Sequence, residues 1–225
     1  MVARLRQKFL GRPGVAVTEL GVGGYIGALT DASCPDSQRQ DAAIAAVQRA
    51  IELGIRYFDT SPAYGTAERY LGAALATVPA DMRSQLTVST KVGTHPERRN
   101  AYGAGDVRWC FENSRKLLGR IDIVYVHDPA QDEHMDEILA PGGAFEALEQ
   151  LRDAGHIRGF GLGVRKHRYL LRAIESGRVD VILPSYDYHP IRQSLRPVLD
   201  AAASAGVAVV NGSPYQAGLL AGINL

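Results

Sequence analysis

The chain is poor in cysteine, in net charge and in long apolar runs. Its two cysteines, Cys34 and Cys110, form no C-x-x-C pair, so no zinc knuckle, other metal site or redox dithiol is indicated. With 25 Lys+Arg against 24 Asp+Glu, the net charge is +1, which excludes the basic surface typical of nucleic-acid or membrane binding. No run approaches the ~18 apolar residues of a membrane span, and the first residues lack the apolar core of a secretory signal. We therefore expect a cytoplasmic protein with no nucleic-acid or membrane partner.

Short apolar runs alternate with helical patterns along the whole chain. At 225 residues, of which 46% are hydrophobic, the chain is long enough to fold as one domain over residues 1–225. A helix is expected over residues 41–53, and Gly54, Gly155 and Gly206 are expected to end three helices. The strand-like runs lie at residues 19–23, 55–59, 86–90, 121–126, 157–163, 181–186 and 207–211.

This alternation predicts an α/β fold with a parallel sheet. About seven similar βα units favour a TIM (β/α)8-type barrel over a doubly wound sheet, which needs a clear phosphate-binding G-x-G-x-x-G motif. An eighth strand is expected roughly 25–35 residues after Val207, beyond the last residue, so we expect an incomplete barrel without its eighth unit. Residues 9–17 are expected to form a hairpin that plugs the barrel floor. The open strand edges predict a chain that is less stable than a closed barrel or that self-associates through that edge.

Four chemically distinct side chains fall at or just after the ends of neighbouring predicted strands. Asp59, Lys91 and His127 end three strands, and Tyr64 follows in the next loop. Alone, each has an ordinary explanation: a helix cap, a surface charge, a core histidine or a packed aromatic. Together at the carboxyl ends of barrel strands they favour an acid–base site, because an ammonium favours the phenolate form of a tyrosine and an imidazole can orient a substrate oxygen. No activated Ser or Cys accompanies them, so proton transfer coupled to another step, such as hydride transfer, is favoured over acyl transfer.

Residues 57–68, YFDTSPAYGTAE, resemble the DTA-x-x-YG-x-x-E signature of the aldo-keto reductase family. The segments STKVG and VHDP follow at the next two strand ends, in the family's order. The resemblance runs from Leu10 to the end of the chain and implies a TIM-barrel oxidoreductase that uses NADP or NAD. Carried over residue by residue, it implies a catalytic tetrad of Asp59, Tyr64, Lys91 and His127, with Tyr64 as the proton donor or acceptor.

The resemblance also implies cofactor contacts. Residues 213–220, SPYQAGLL, are similar to the family's phosphate-contacting loop after strand seven. Two features depart from the pattern: Gly212 stands where many members stack an aromatic ring, and GLGVR at residues 161–165 replaces a Ser-Asn pair. Arg165 is expected to point to solvent or to contact a phosphate, and Tyr186 to contact the nicotinamide or to pack. The expected cofactor residues are Gly23, Gly24, Arg165, Tyr186, Ser213, Gly218 and Leu219.

Three segments, LGVGGYIG at residues 20–27, VHDP at 126–129 and NGSPYQAGLLAG at 211–222, are similar to the branch of the family that oxidises aldoses such as galactose or fucose. This implies an aldose or small carbonyl substrate, for which Tyr25 and His95, with Trp109 and Tyr102, are pocket candidates; surface or core packing is the alternative for each. Two other functions stay open. One is a catalytically weak or inactive cofactor-binding module of the same fold, and the other is an isomerase or lyase that forms a Schiff base on Lys91.

Overall fold

Strands and helices alternate along the chain in a computed structural model that describes residues 5–11, 14–24, 26 and 33–222. The strands are β1 (Gln7–Leu10), β2 (Val15–Thr18), β3 (Tyr57–Asp59), β4 (Thr87–Val92), β5 (Thr94–His95), β6 (Arg98–Arg99), β7 (Ile123–His127), β8 (Gly159–Gly163), β9 (Val181–Leu183) and β10 (Ala208–Val209). The helices are α1 (Asp36–Glu52), α2 (Ala67–Thr77), α3 (Ala80–Arg83), α4 (Ala104–Leu118), α5 (Asp132–Leu139), α6 (Ala144–Asp153), α7 (His167–Glu175) and α8 (Arg196–Ala205), followed by a 3-10 segment at Gln216–Ala221.

Six parallel strands form one sheet in the order β10-β9-β8-β7-β4-β3. Successive side chains on each strand point to opposite faces. One face, which includes Phe58, Val124 and Phe160, packs in a large apolar core with the helices. The other face, which includes Tyr57 and Tyr125, forms a separate apolar cluster with the hairpin β1–β2. Helices on one face and an enclosed interior on the other confirm the prediction of an incomplete (β/α)8-type barrel for the described residues.

The hairpin β1–β2 closes the amino ends of the sheet strands, as predicted for residues 9–17. The hydroxyl of Thr87 at the start of β4 donates to the carbonyl of Ala16 at 2.8 Å. Gly11, with φ of 61°, lies against Asp180, and a Cβ at this position would be 2.5 Å from the Asp180 carbonyl oxygen. The hairpin therefore seals the floor and leaves the carboxyl ends of the strands available for a site.

Helix ends agree with the predictions better than helix starts and strand lengths do. Gly54, Gly155 and Gly206 follow α1, α6 and α8 with φ of 92°, 75° and 66°, which confirms the three predicted glycine ends. Helix α1 begins at Asp36 rather than at residue 41. The sequence pattern missed the first turn because this turn is polar and has no periodic apolar residues. The predicted strand at residues 19–23 contributes a single parallel bridge, Val22 to Phe58. No helix of the described residues is long and apolar enough to cross a membrane.

Candidate active site

The carboxyl ends of three adjacent strands bring Asp59, Lys91 and His127 to one rim of the sheet. Asp59 pairs in register with Ser89 on β4, and Lys91 pairs with Tyr125 on β7. Side chains alternate between the two faces along a strand. Residues 59, 91 and 127 are each separated by an even number of positions from a residue of the same strand that points inward, so all three side chains point inward. The structure thus brings together the three side chains that the sequence placed at separate strand ends.

Lys91 and Asp59 form an ion pair inside the barrel. Lys91 Nζ donates to Asp59 Oδ2 at 2.6 Å and to the Thr60 carbonyl at 2.7 Å, and the lysine side chain is only 1% exposed. Asp59 is therefore a partner of the ammonium rather than a helix cap, and Lys91 is not a surface charge. Removing one partner of an ion pair this deeply buried strongly destabilises the folded protein, because the other charge is left buried without a partner.

A chain of hydroxyl groups supports this ion pair from below. Ser89 Oγ donates to Asp59 Oδ1 at 2.6 Å, so its only proton is committed and it accepts a hydrogen bond from the Tyr57 hydroxyl at 2.9 Å. The Tyr57 hydroxyl in turn accepts from the Tyr125 hydroxyl at 3.2 Å. Burial raises the pKa of Tyr57, and the charge of Asp59 raises it further, so this phenol stays a donor. Sequence reasoning missed this chain; its signal is polar residues at inward-facing strand positions.

Tyr64 lies in the turn that follows β3, beside both Lys91 and His127. Lys91 Nζ is 4.7 Å from the centroid of the Tyr64 ring. The rings of Tyr64 and His127 meet edge to face, with centroids 5.8 Å apart. The turn is closed by a hydrogen bond from the Tyr64 N–H to the Ser61 carbonyl at 3.0 Å. The four side chains expected from the sequence therefore form one group around a single point of the rim.

His127 is held as a neutral imidazole. Burial, with a further contribution from the charge of Lys91, lowers the pKa of His127 to about 3. Its Nδ1 lies 2.7 Å from the Thr94 hydroxyl, and its Nε2 lies 3.4 Å from Asp128 Oδ2. When Thr94 donates to Nδ1, the single ring proton lies on Nε2. The main-chain carbonyl of His127 also accepts a hydrogen bond from the Tyr102 hydroxyl at 2.9 Å.

Glu68, the last residue of the motif at residues 57–68, lies on the helix side of the sheet rather than in the rim. Its carboxyl accepts a hydrogen bond from the Thr90 hydroxyl at 2.5 Å, and burial raises its pKa. Thr90 points outward because it neighbours the inward-facing Lys91. Glu68 therefore ties α2 to the strand that carries the lysine.

Arg165 is tied to a buried carboxylate at the ends of β8 and β9. Its guanidinium donates to Asp187 at 3.3 and 3.4 Å, and it lies 5.8 Å from the centroid of the Tyr186 ring. Asp187 also binds Arg192 at 3.2 Å and His167 at 3.1 Å. Burial acts to raise the pKa of Asp187, but the hydrogen bonds from Arg165 and Arg192 outweigh it and lower that pKa. Two guanidinium groups on one carboxylate leave a net positive charge here.

The loop after β10 is folded onto the end of β9. The Tyr186 N–H donates to the Gly212 carbonyl at 3.3 Å, and the Gln216 amide donates to the Tyr186 carbonyl at 3.0 Å. Ser213, Gln216, Ala217 and Gly218 have φ of 52°, 50°, 52° and 101°. Successive turn conformations of this kind form backbone concavities that bind anions. Leu219 is 48% exposed on the same loop.

Of the other expected residues, two glycines approach the rim, whereas the described pocket candidates His95, Trp109 and Tyr102 pack against other residues. The Gly24 N–H donates to the Asp59 carbonyl at 3.2 Å, and a Cβ at Gly23 would lie 3.6 Å from Asp59 Oδ2. His95 packs edge to face on Trp109, with ring centroids 4.7 Å apart, and Tyr102 is fully buried. Tyr25 lies outside the described residues.

Among the cavities of the described residues are two at opposite ends of the sheet. The larger, of about 400 Å³, is at the amino end of β4, between residues that include Leu75, Arg83 and Arg120. The other, of about 360 Å³, adjoins the rim and is lined by Ala63, Thr94, Pro96, Arg99 and Asn100. The lining of the second includes Ala63, the residue before Tyr64, and Thr94, whose hydroxyl contacts His127.

Comparison with known proteins gives one consistent result. The model of the Aldo/keto reductase family matches residues 19–225. A D-threo-aldose 1-dehydrogenase from a Pseudomonas species is 34% identical, over 92% of this chain and 69% of that protein. L-galactose dehydrogenase from Arabidopsis thaliana is 33% identical, over 97% of this chain and 68% of that protein.

Solved structures share the fold. The holo form of an aldo-keto reductase from Bacillus halodurans is similar with a TM-score of 0.78 at 24% identity, over 99% of this chain and 70% of that one. A Bombyx mori aldo-keto reductase in complex with NADP has a TM-score of 0.71 at 21% identity, over 93% of this chain and 66% of that one.

Proposed function

Since the chain belongs to the aldo/keto reductase family and is an oxidoreductase acting on a carbonyl or an alcohol, we propose that it transfers hydride between NADP or NAD and an aldose or small aldehyde. The observation that carries this proposal is the buried Lys91–Asp59 ion pair with its ammonium 4.7 Å from the Tyr64 ring. The two relatives named for an aldose and for galactose support the substrate class. In this proposal the cofactor, the substrate and the catalytic residues all lie in a single domain, residues 1–225.

The residues at the ends of β8, β9 and β10 fit a dinucleotide. Arg165 adds positive charge beside Tyr186, and the turn conformations of Ser213 and Gly218 suit an anionic phosphate. We assign the cofactor-holding role to these residues, with Leu219 on the same loop and Gly23 and Gly24 across the rim. A bound nicotinamide supplies or accepts the hydride.

Tyr64 is the proposed acid–base group. In reduction its phenol gives a proton to the substrate oxygen, and in oxidation it takes that proton back. The ammonium of Lys91 stabilises the phenolate, and Asp59 keeps this ammonium in place. His127, neutral and with its proton on Nε2, donates a hydrogen bond that orients the substrate oxygen toward Tyr64.

A Schiff base on Lys91 is not supported by this geometry. The amine is 1% exposed and donates to Asp59 and the Thr60 carbonyl, whereas a Schiff-base lysine must be a neutral, accessible nucleophile. The hydrogen bonds of Lys91 instead suit an ammonium held beside a phenol.

The experiment is turnover with a panel of aldoses, including galactose and fucose, and small aldehydes, followed at the absorbance band of the reduced nicotinamide. NADPH and NADH are titrated in parallel by fluorescence. We expect binding of at least one cofactor and turnover of at least one member of the panel. Tight cofactor binding with no turnover of any substrate would contradict the proposed activity.

A further inference from the structure

The hairpin β5–β6 beside the active site has two faces that differ in what they contact. Thr94 pairs with Arg99, and His95 pairs with Arg98. Paired residues of antiparallel strands share a face, and their neighbours point to the opposite face. His95 and Arg98 both pack on Trp109, the latter with its guanidinium 4.2 Å from the ring centroid.

Arg99 therefore stands on the face that looks toward the catalytic histidine. Its partner Thr94 places its hydroxyl 2.7 Å from His127 Nδ1. Both residues line the cavity of about 360 Å³, together with Ala63, the residue before Tyr64. The cavity thus adjoins the two groups that are proposed to contact the substrate oxygen.

The lining of this cavity contains one charge and no carboxylate. Arg98 donates to Asp106 at 2.8 Å, whereas the guanidinium of Arg99 forms no ion pair or side-chain hydrogen bond within the described part of the chain. Asp59, held by Lys91, and Asp128, 3.4 Å from His127, lie near the catalytic groups but do not line the cavity. An uncommitted guanidinium is a strong receptor for a carboxylate or a phosphate.

Asn100 adds a second polar group at the same place. It follows β6 with φ of 53°, a left-handed conformation that Asn tolerates, and it lines the same cavity as Arg99. The Ala101 N–H closes the base of the hairpin on the Gly93 carbonyl at 3.3 Å. Two consecutive residues of a closed hairpin, one with a guanidinium and one with an amide, thus line the cavity.

We propose that this cavity binds an anionic group of the substrate, with Arg99 as its ion-pair partner and Asn100 as a hydrogen-bond donor. The substrates that fit best are then aldehydes or sugars that carry a carboxylate or a phosphate a few bonds from the reacting carbonyl. This inference rests on the proposed function, since it places the reacting carbonyl at Tyr64 and His127.

The test compares kcat/KM for matched substrate pairs that differ in charge. Succinic semialdehyde is compared with butanal for a carboxylate, and glyceraldehyde 3-phosphate with glyceraldehyde for a phosphate. We expect the wild type to favour at least one anionic member by about tenfold or more. Arg99→Met should bring that ratio close to one through a higher KM for the anion, and Arg99→Lys should restore part of it.

Arg98→Met is the matched control, because Arg98 lies on the opposite face of the same hairpin and should leave the ratio unchanged. A wild-type ratio near one for both pairs overturns the inference, and so does a ratio that Arg99→Met does not alter; in both cases the turnover itself upholds the proposed function.

If neither these aldehydes nor any member of the aldose panel is turned over, the proposed function fails and calorimetry decides the inference separately. Butyrate and butanol are titrated into the wild type and Arg99→Met. Butyrate should bind the wild type about tenfold more tightly than the variant, with butanol showing no such difference. Equal butyrate affinity for the two proteins overturns the anion site.

Discussion

Lys91 Nζ lies 2.6 Å from Asp59 Oδ2, and the two groups are enclosed between the floor hairpin and the rim of the sheet. The pair fixes the position of an ammonium that would otherwise have several rotamers, and it directs this charge to the Tyr64 ring. Both partners are buried, so removing one charge should destabilise the fold, whereas removing both should not. Mutation can therefore separate the structural role of the pair from its catalytic role.

Lys91→Met should lower the free energy of unfolding by about 3–5 kcal/mol, since it leaves the carboxylate of Asp59 buried without its partner. Asp59→Asn/Lys91→Met removes both charges and should recover most of that loss, while activity stays low in both variants. Urea unfolding at neutral pH measures the stabilities. A double variant no more stable than Lys91→Met would show that the unpaired carboxylate is not the cause.

His127 should make stability depend on pH in a defined window. Its pKa is about 3 in the folded protein, against an ordinary value of 6.5. Between these values the unfolded chain binds a proton that the folded protein does not, so the free energy of unfolding falls as the pH falls, by up to about 1.4 kcal/mol per pH unit.

The measurement for His127 is urea unfolding at a series of pH values for the wild type and His127→Gln. The difference between the two curves isolates the histidine from the other titrating groups. The difference should shrink steadily as the pH is lowered through this window. Parallel curves would mean that the imidazole titrates normally in the folded protein.

Thr94 should position His127 through its hydroxyl. Thr94→Val keeps the shape but removes the donor to Nδ1, so the ring proton is no longer confined to Nε2. We expect kcat to fall about fivefold to tenfold, corresponding to one hydrogen bond, with cofactor affinity retained. Thr94→Ser keeps the hydroxyl and should retain most of kcat. Equal losses in both variants would point to packing instead.

Much of the site could be predicted because its residues stand at strand ends. Asp59, Lys91 and His127 each interrupt an apolar run where a parallel strand finishes, and parallel strands end at the same rim. The glycine ends of helices were predictable for a local reason, since Gly54 and Gly206 adopt a backbone conformation that other residues disfavour.

The features that could not be predicted depend on which strands are neighbours and on which way side chains face. The Tyr125–Tyr57–Ser89 chain joins three strands across as many as 68 residues. The carboxylate that holds Arg165 is Asp187, 22 residues away. The two-residue strands of β5–β6 are too short to show a period. The sequence therefore could not predict that His95 packs on Trp109 rather than facing the rim.

Arg165 should contribute to cofactor binding as a positive charge. Arg165→Ala leaves Asp187 still bonded to Arg192 and His167, so the fold should be retained. We expect the Kd for NADPH or NADH to rise about tenfold, and its dependence on salt to weaken. Fluorescence titration measures both effects. An unchanged Kd would limit Arg165 to its structural contact with Asp187.

The most direct test of the account is the rate of hydride transfer in Tyr64→Phe, measured in a single turnover after cofactor binding has been verified by titration. If the phenol is the proton donor, this rate falls by about 10²–10⁴ while the Kd of the cofactor stays near that of the wild type. A variant that transfers hydride at close to the wild-type rate would contradict the central role of Tyr64.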